Sequence, residues 1–188
     1  EYVAISVGPN NKEGAPNFHI VYNITELGGI ISRTDKQGNL TYNVDRNGIK
    51  LTTQKQLPKL KSSMIKGIKK TYKYKGKKIK PIPTIKIKGK KLYCLGNKKC
   101  YTTSTKTSCY HFNKNCKSLK GVKNKYKLKY TVAKCKAMKK RECGWCVKTP
   151  FDYKVTYKNN KKRGTATITV TGLGTTCTGT VTKTFLIK

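Results

Sequence analysis

The stretch Gly164-Thr165-Ala166-Thr167-Ile168-Thr169-Val170-Thr171-Gly172 leaves few choices of fold. Apolar Ala166, Ile168 and Val170 alternate with threonines, the period of a strand with one buried face. Branched threonine suits the pleat, so this run predicts a strand and not a helix. The flanking blocks repeat the pattern. Val155 and Tyr157 alternate with Lys154, Thr156 and Lys158, and the polar run from Asn159 to Gly164 should close a hairpin. Val181, Phe185 and Ile187 supply a further inward row. Upstream, Ile85 and Ile87 alternate with Lys86 and Lys88 before a turn at Gly89-Lys90-Lys91. Many short strands with glycine turns argue a mainly β chain built as a sandwich.

The β blocks fall in two pieces, residues 64–92 and 151–188, with a cysteine-rich insert at 93–150 between them. Residues 1–63 read as an N-terminal all-β segment, either another Ig-like unit or part of another β domain. Its expected strands are 2–7, 18–24, 30–34, 40–44 and 49–51, with Asp45-Arg46-Asn47-Gly48 as a turn. Leu57 to Ser63 reads as a linker.

Taken in order, the blocks carry a resemblance. They are Tyr74-Lys75-Gly76-Lys77-Lys78-Ile79-Lys80-Pro81, Lys90-Lys91-Leu92, Asp152-Tyr153 through Asn159-Asn160, Gly164 to Gly172, and Gly179-Thr180-Val181 to Ile187. This series resembles the bacterial Ig-like repeat of secreted and wall-attached proteins of low-GC Gram-positive bacteria. The resemblance implies an extracellular or cell-surface, non-catalytic Ig-like β-sandwich used as a spacer or binding module. The chain would then be a monomer or part of a longer multi-repeat protein. In the repeat a short connection joins Lys-x-Leu to Asp-Tyr; here the insert replaces it.

The insert reads as a small α+β unit. Thr131 is a fair N-cap for a helix over 132–140, which would deliver Cys143-Gly144-Trp145-Cys146 at its end. A Cys-x-x-Cys knuckle aims two thiolates at one point. With Tyr110-His111, Cys116, Leu119 and Thr131-Val132, the insert resembles the small zinc-binding module of the Ada type. By position, that resemblance implies His111, Cys116, Cys143 and Cys146 as zinc ligands. Trp145, between the two knuckle cysteines, is expected to pack over the site, with stacking on a ligand as the alternative. The spacing from His111 to Cys116 is one residue longer than the usual one, and Glu142 stands where the module has proline.

Cysteine arithmetic leaves three schemes open. The ligand set just named leaves Cys94, Cys100, Cys109, Cys135 and Cys177. If Cys109 replaces His111 on the metal, Cys94, Cys100, Cys135 and Cys177 remain as candidates for two disulfides. Without metal, all eight cysteines can pair. Cys94 and Cys100 would close a small loop around Gly96-Asn97. Eight cysteines in a short chain fit an oxidising compartment.

The formal charge is +36, from 43 basic and 7 acidic residues, and no acidic residue lies between Asp45 and Glu142. Such a field attracts anionic cell-wall polymer, acidic glycan, acidic protein or nucleic acid. The basic residues are nearly all lysine, which weakens base-specific reading because bidentate recognition favours arginine. A nucleic-acid binder using the zinc knuckle is the alternative function, with Tyr72, Tyr74, Tyr101, Tyr110, Tyr126 and Tyr130 as candidate base-stacking residues. An enzyme is not expected. His19 and His111 are the two histidines, no paired-carboxylate pattern occurs, and Asp152 reads as a turn residue. No apolar run approaches the ~20 residues of a membrane span.

Overall fold

The computed structural model describes residues 1–13, 15–95, 99–103, 109–123, 127–147 and 150–188. The chain is mainly β, as the alternating pattern requires. It divides into two compact units, Glu1–Cys94 with Pro150–Lys188, and Leu95–Thr149. Gly96-Asn97, at the centre of the small loop that Cys94 and Cys100 would close, lie outside the described residues.

In the first unit the elements run β1 (Tyr2–Ile5), α1 (Phe18–Glu26), β2 (Ile30–Arg33), α2 (Thr34–Gln37), β3 (Leu40–Asp45), β4 (Gly48–Thr53), β5 (Thr71–Tyr72), β6 (Lys86–Ile87) and β7 (Lys90–Lys91). The second unit holds β8 (Lys99–Thr103), β9 (Cys109–Tyr110), β10 (Lys127–Thr131), α3 (Val132–Ala137) and β11 (Arg141–Glu142). The first unit then resumes with β12 (Tyr153–Lys158), β13 (Gly164–Gly172) and β14 (Thr180–Ile187).

The principal sheet has the order β12-β13-β14-β5, antiparallel except for the parallel β14/β5 pair. Ala166, Ile168, Val170, Phe185 and Ile187 point inward and are almost wholly buried. The outward face carries threonine pairs across β13 and β14: Thr167 with Thr184, Thr169 with Thr182, Thr171 with Thr180. Lys183 falls on the inward row, and its stem crosses the apolar face so that its ammonium reaches the Ile65 carbonyl at 3.1 Å.

Leu60, Ile65, Ile85 and Leu92 cover that face. Among the described residues this covering layer is made of short pairings, such as Lys66 with Thr84 and the β6/β7 hairpin, and not of a second continuous sheet. The reason lies in Pro81 and Pro83, which cannot donate to a ladder. Side chains of β12 and its turn satisfy the covering segment instead. Asn160 donates to the Ile79 carbonyl at 2.8 Å, Tyr157 to Pro81 at 2.7 Å and Tyr153 to Pro83 at 2.7 Å. Three alternate carbonyls of one extended segment thus meet three side chains of the Asp152–Asn160 block. The β6/β7 turn puts Lys88 at φ 47° and Gly89 at φ 76°, the paired positive angles of a two-residue hairpin loop.

Residues 1–63 differ from the expectation in two places. The stretch 18–24, expected as a strand, is helix α1. Asn17 caps it, accepting the His19 amide at 2.9 Å, and Val21, Tyr22 and Thr25 form its buried face. The helix connects β1 to β2, which pair in parallel and so need a crossover between them. The stretch 57–63, expected as a linker, is pinned to the principal sheet's end. The Leu60 amide donates to Thr178 at 2.9 Å and its side chain enters the core. The hairpin expected at Asp45-Arg46-Asn47-Gly48 joins β3 and β4, with Asp45 accepting the Asn47 amide at 2.7 Å.

Candidate metal centre

In the second unit β8 pairs antiparallel with β10, and β9 pairs in parallel with β11. These ribbons bring distant residues to one point. His111 follows β9 directly and exchanges both backbone hydrogen bonds with Tyr101 of β8 at 2.7 Å. Cys143 follows β11, and its amide donates to the Tyr110 carbonyl at 3.0 Å. Cys116 starts a 3₁₀ turn at Lys117–Leu119, and the Leu119 amide closes on its carbonyl at 2.8 Å. Cys146 ends the turn in which the Val147 amide returns to the Cys143 carbonyl at 3.1 Å. Thr131 accepts the Lys134 amide at 3.2 Å, the cap expected for α3.

The ligand atoms of His111, Cys116, Cys143 and Cys146 all lie within 4.8 Å of one another, and this group can hold a metal ion. Cys116 Sγ is 3.7 Å from Cys143 Sγ, and Cys146 Sγ is 3.6 Å from His111 Nδ1. A tetrahedral ion with metal–sulfur bonds of about 2.3 Å has sulfur–sulfur edges of about 3.8 Å, so these separations suit one ion at the centre. His111, Cys116 and Cys143 are buried, and Cys146 is half-buried.

The surroundings act differently on the two sulfurs of the Cys-x-x-Cys turn. Burial alone would raise the Cys143 thiol, but the Trp145 and Cys146 amides and the Ser118 hydroxyl point at its sulfur and bring it below the ordinary thiol value. Burial pushes Cys146 up to about 12, opposed by the Asn113 and Phe112 amides. Main-chain N–H groups are thus aimed at both sulfurs, the outer-shell arrangement that orients metal-bound thiolates. Burial lowers His111, which keeps its imidazole neutral and available as a donor.

The structure brings together the four residues named from the sequence. Cys109 lies one strand residue before Tyr110 and is not in the cluster. Cys100 and Cys135 face each other elsewhere in the same unit, while Cys94 and Cys177 are buried in the first unit's core. Ser118, 3.7 Å from Cys143 Sγ, carried no sequence signal. Trp145 departs from expectation. The residue is 67% exposed instead of packed over the site, with Lys117 Nζ 5.8 Å from the ring centre. The turn points its amide at Cys143 and its side chain outward.

Of the tyrosines proposed to stack on bases, Tyr110 is wholly buried and cannot. Lysines of the chain itself stand over Tyr101 and Tyr130, at 6.0 and 4.3 Å. Tyr126 lies outside the described residues. Asp152 takes the turn role expected of it, accepting hydroxyls from Thr176 at 2.6 Å and Thr175 at 3.2 Å. In the first unit Lys69, Lys73, Lys75, Lys77 and Lys78, with Thr71, Tyr72 and Ile79, line an open cleft of about 360 Å³. Among the described residues, no helix is long and apolar enough to cross a membrane.

No family model, curated protein or solved structure matches this chain.

Proposed function

We propose that this chain is a secreted or surface-displayed, non-catalytic binding module. A zinc ion holds its cysteine-rich unit, and its sheet-bearing unit engages a phosphate-rich wall polymer or similar polyanion. The observation that carries the reading is the closed ligand set of His111, Cys116, Cys143 and Cys146. One imidazole and three thiolates suit zinc, and four protein ligands leave no open position for a reacting water, the mark of a structural site. The Ig-like resemblance of the β blocks and the cysteine content support an extracellular setting. The five-lysine cleft, with no carboxylate on its wall, supports a polyanion as ligand.

The test pairs two measurements on the full chain. Native mass spectrometry with metal quantification should find one zinc per chain. Retention on poly(glycerol phosphate) beads should fall smoothly with added salt, since screening weakens exposed charge contacts. Metal-free folded protein would remove the first half of the reading, and retention indifferent to salt the second.

A nucleic-acid ligand is the second reading. It rests on Trp145, an exposed aromatic beside Lys117, the pairing that lets a base stack while a phosphate is held. Binding to single-stranded nucleic acid that is lost in W145A and retained on the cleft variants described below would favour it over the wall polymer.

A further inference from the structure

Outside the four-ligand cluster, the second unit holds another pair of sulfurs. Cys100 lies in β8 and Cys135 in α3, and their Sγ atoms are 3.0 Å apart with both residues wholly buried. This is closer than the 3.7 Å between Cys116 and Cys143. It is also too close for an ion to bridge, because tetrahedral thiolates on one ion stand about 3.8 Å apart. Among the described residues, the Tyr130 carbonyl also lies near the pair, 3.5 Å from Cys100 Sγ. Two buried sulfurs aimed at each other are one short movement from bonding distance, about 2.05 Å.

We propose that Cys100 and Cys135 form a disulfide in the native protein, while Cys116, Cys143 and Cys146 remain metal thiolates. The oxidant is a small disulfide such as glutathione disulfide, acting before the pair is buried. One cysteine thiolate attacks a glutathione sulfur and expels glutathione thiolate, leaving a mixed disulfide. The second cysteine thiolate attacks the protein sulfur of that bond and expels the other glutathione. Two protein thiols are oxidised, one disulfide is reduced to two thiols, and the two protons end on glutathione.

The bond has a consequence for the site. β8 carries Tyr101, whose backbone holds His111, and α3 leads through β11 to Cys143. A covalent link between β8 and α3 fixes two of the arms that deliver metal ligands. The pairing does not depend on which polyanion, if any, the protein binds.

The experiment uses the wild-type full chain, folded with zinc in a glutathione redox buffer. It is then unfolded without reductant in the presence of chelator, alkylated, digested and mapped by mass spectrometry. The expected result is that the Cys100 and Cys135 peptides are recovered joined, with Cys116, Cys143 and Cys146 alkylated. Alkylation of both Cys100 and Cys135, or a bond from either to a different cysteine, would overturn the proposal. A bond among Cys116, Cys143 and Cys146 alongside an intact Cys100–Cys135 bond would sink the metal reading and support this one. The C100A/C135A double variant adds a second readout: its zinc affinity should fall about tenfold, the scale of lost outer-shell support.

Discussion

Asp152 and Tyr93 hold each other by two hydrogen bonds, the Tyr93 amide to Asp152 Oδ2 at 2.7 Å and the Asp152 amide to the Tyr93 carbonyl at 2.9 Å. They stand at the points where the chain leaves the first unit and re-enters it, so this clasp lets the unit close despite 55 intervening residues, 95 to 149. The other carboxylate oxygen takes the Thr175 and Thr176 hydroxyls. D152A strips the acceptor from three part-buried donors and should destabilise the first unit by about 2–3 kcal/mol. D152N keeps one acceptor for Tyr93, and a threonine hydroxyl can turn to accept its amide, so about 1 kcal/mol is expected. Denaturant unfolding followed by far-UV circular dichroism checks both. Equal losses for the two variants would disprove the clasp.

Gly174 is the tightest backbone approach in the first unit. A Cβ there would fall 1.8 Å from the Ile31 carbonyl oxygen, and φ is +80°. The Ile31 amide meanwhile donates to Leu173 at 2.8 Å, so β2 is tied to this turn from the other side. Neither backbone can retreat without losing that bond. G174A should cost about 3 kcal/mol or more. G48A, at φ +120° with open space around it, should cost less, through backbone strain alone. Thermal melts of the two variants side by side give the comparison.

The inward row of β13 was legible because its period of two runs uninterrupted for seven residues. Helix α1 was not, because Phe18-His19-Ile20-Val21-Tyr22-Asn23-Ile24 is an apolar, β-branched run that fits a buried strand as well as a helix. The deciding signals were the Asn17 cap and the parallel partner that β1 finds in β2. The His111, Cys116, Cys143 and Cys146 cluster was legible because a knuckle is local and its partner Tyr110-His111 fits a known pattern. The approach of Cys135 to Cys100 was not, since eight cysteines allow about a hundred connectivities and sequence spacing does not choose among them. The lysine cleft was hidden by charge spread along the whole chain.

Arg33 grips Asp35 with two hydrogen bonds of 2.8 Å. Those bonds hold the Asp35 carboxyl below its ordinary value, against the opposing effect of burial. A carboxyl lowered on folding stabilises the fold above its unfolded pKa and loses that contribution as pH falls through the folded one. The pair is partly exposed, so its worth is about 0.5–1 kcal/mol. Wild type should therefore exceed D35N in stability at neutral pH, and the gap should close from about pH 4 downward. Urea midpoints across that range test the sign. A gap that widens toward acid would refute it.

Trp145, the sole tryptophan, sits between Cys143 and Cys146, two residues of the candidate metal cluster. Zinc returned to chelated protein should change its fluorescence, and C143S should abolish the change. Because thiols must deprotonate to bind, apparent affinity should rise with pH, up to tenfold per unit for each proton released. Hydrogen exchange separates the two units. Chelation should strip protection from β8 and β9 and leave it in β13 and β14, whose core contains no metal ligand. Loss of protection in both places would mean that the ion supports the first unit as well.

Diffuse charge and a built cleft make different demands on the same lysines. If attraction comes only from the net charge of +36, any four neutralised lysines weaken polyanion binding alike. If the cleft under Lys73, Lys75, Lys77 and Lys78 holds phosphates, its lysines contribute contacts that others do not. Each lost phosphate contact lowers the slope of log affinity against log salt by on the order of one. Changing those four to glutamine should flatten the slope for poly(glycerol phosphate) by about two to four. Changing Lys12, Lys50, Lys55 and Lys61, which are exposed and lie outside the cleft, removes the same charge and should leave the slope nearly intact. Equal flattening by the two sets would reduce the cleft to one part of a uniformly basic surface.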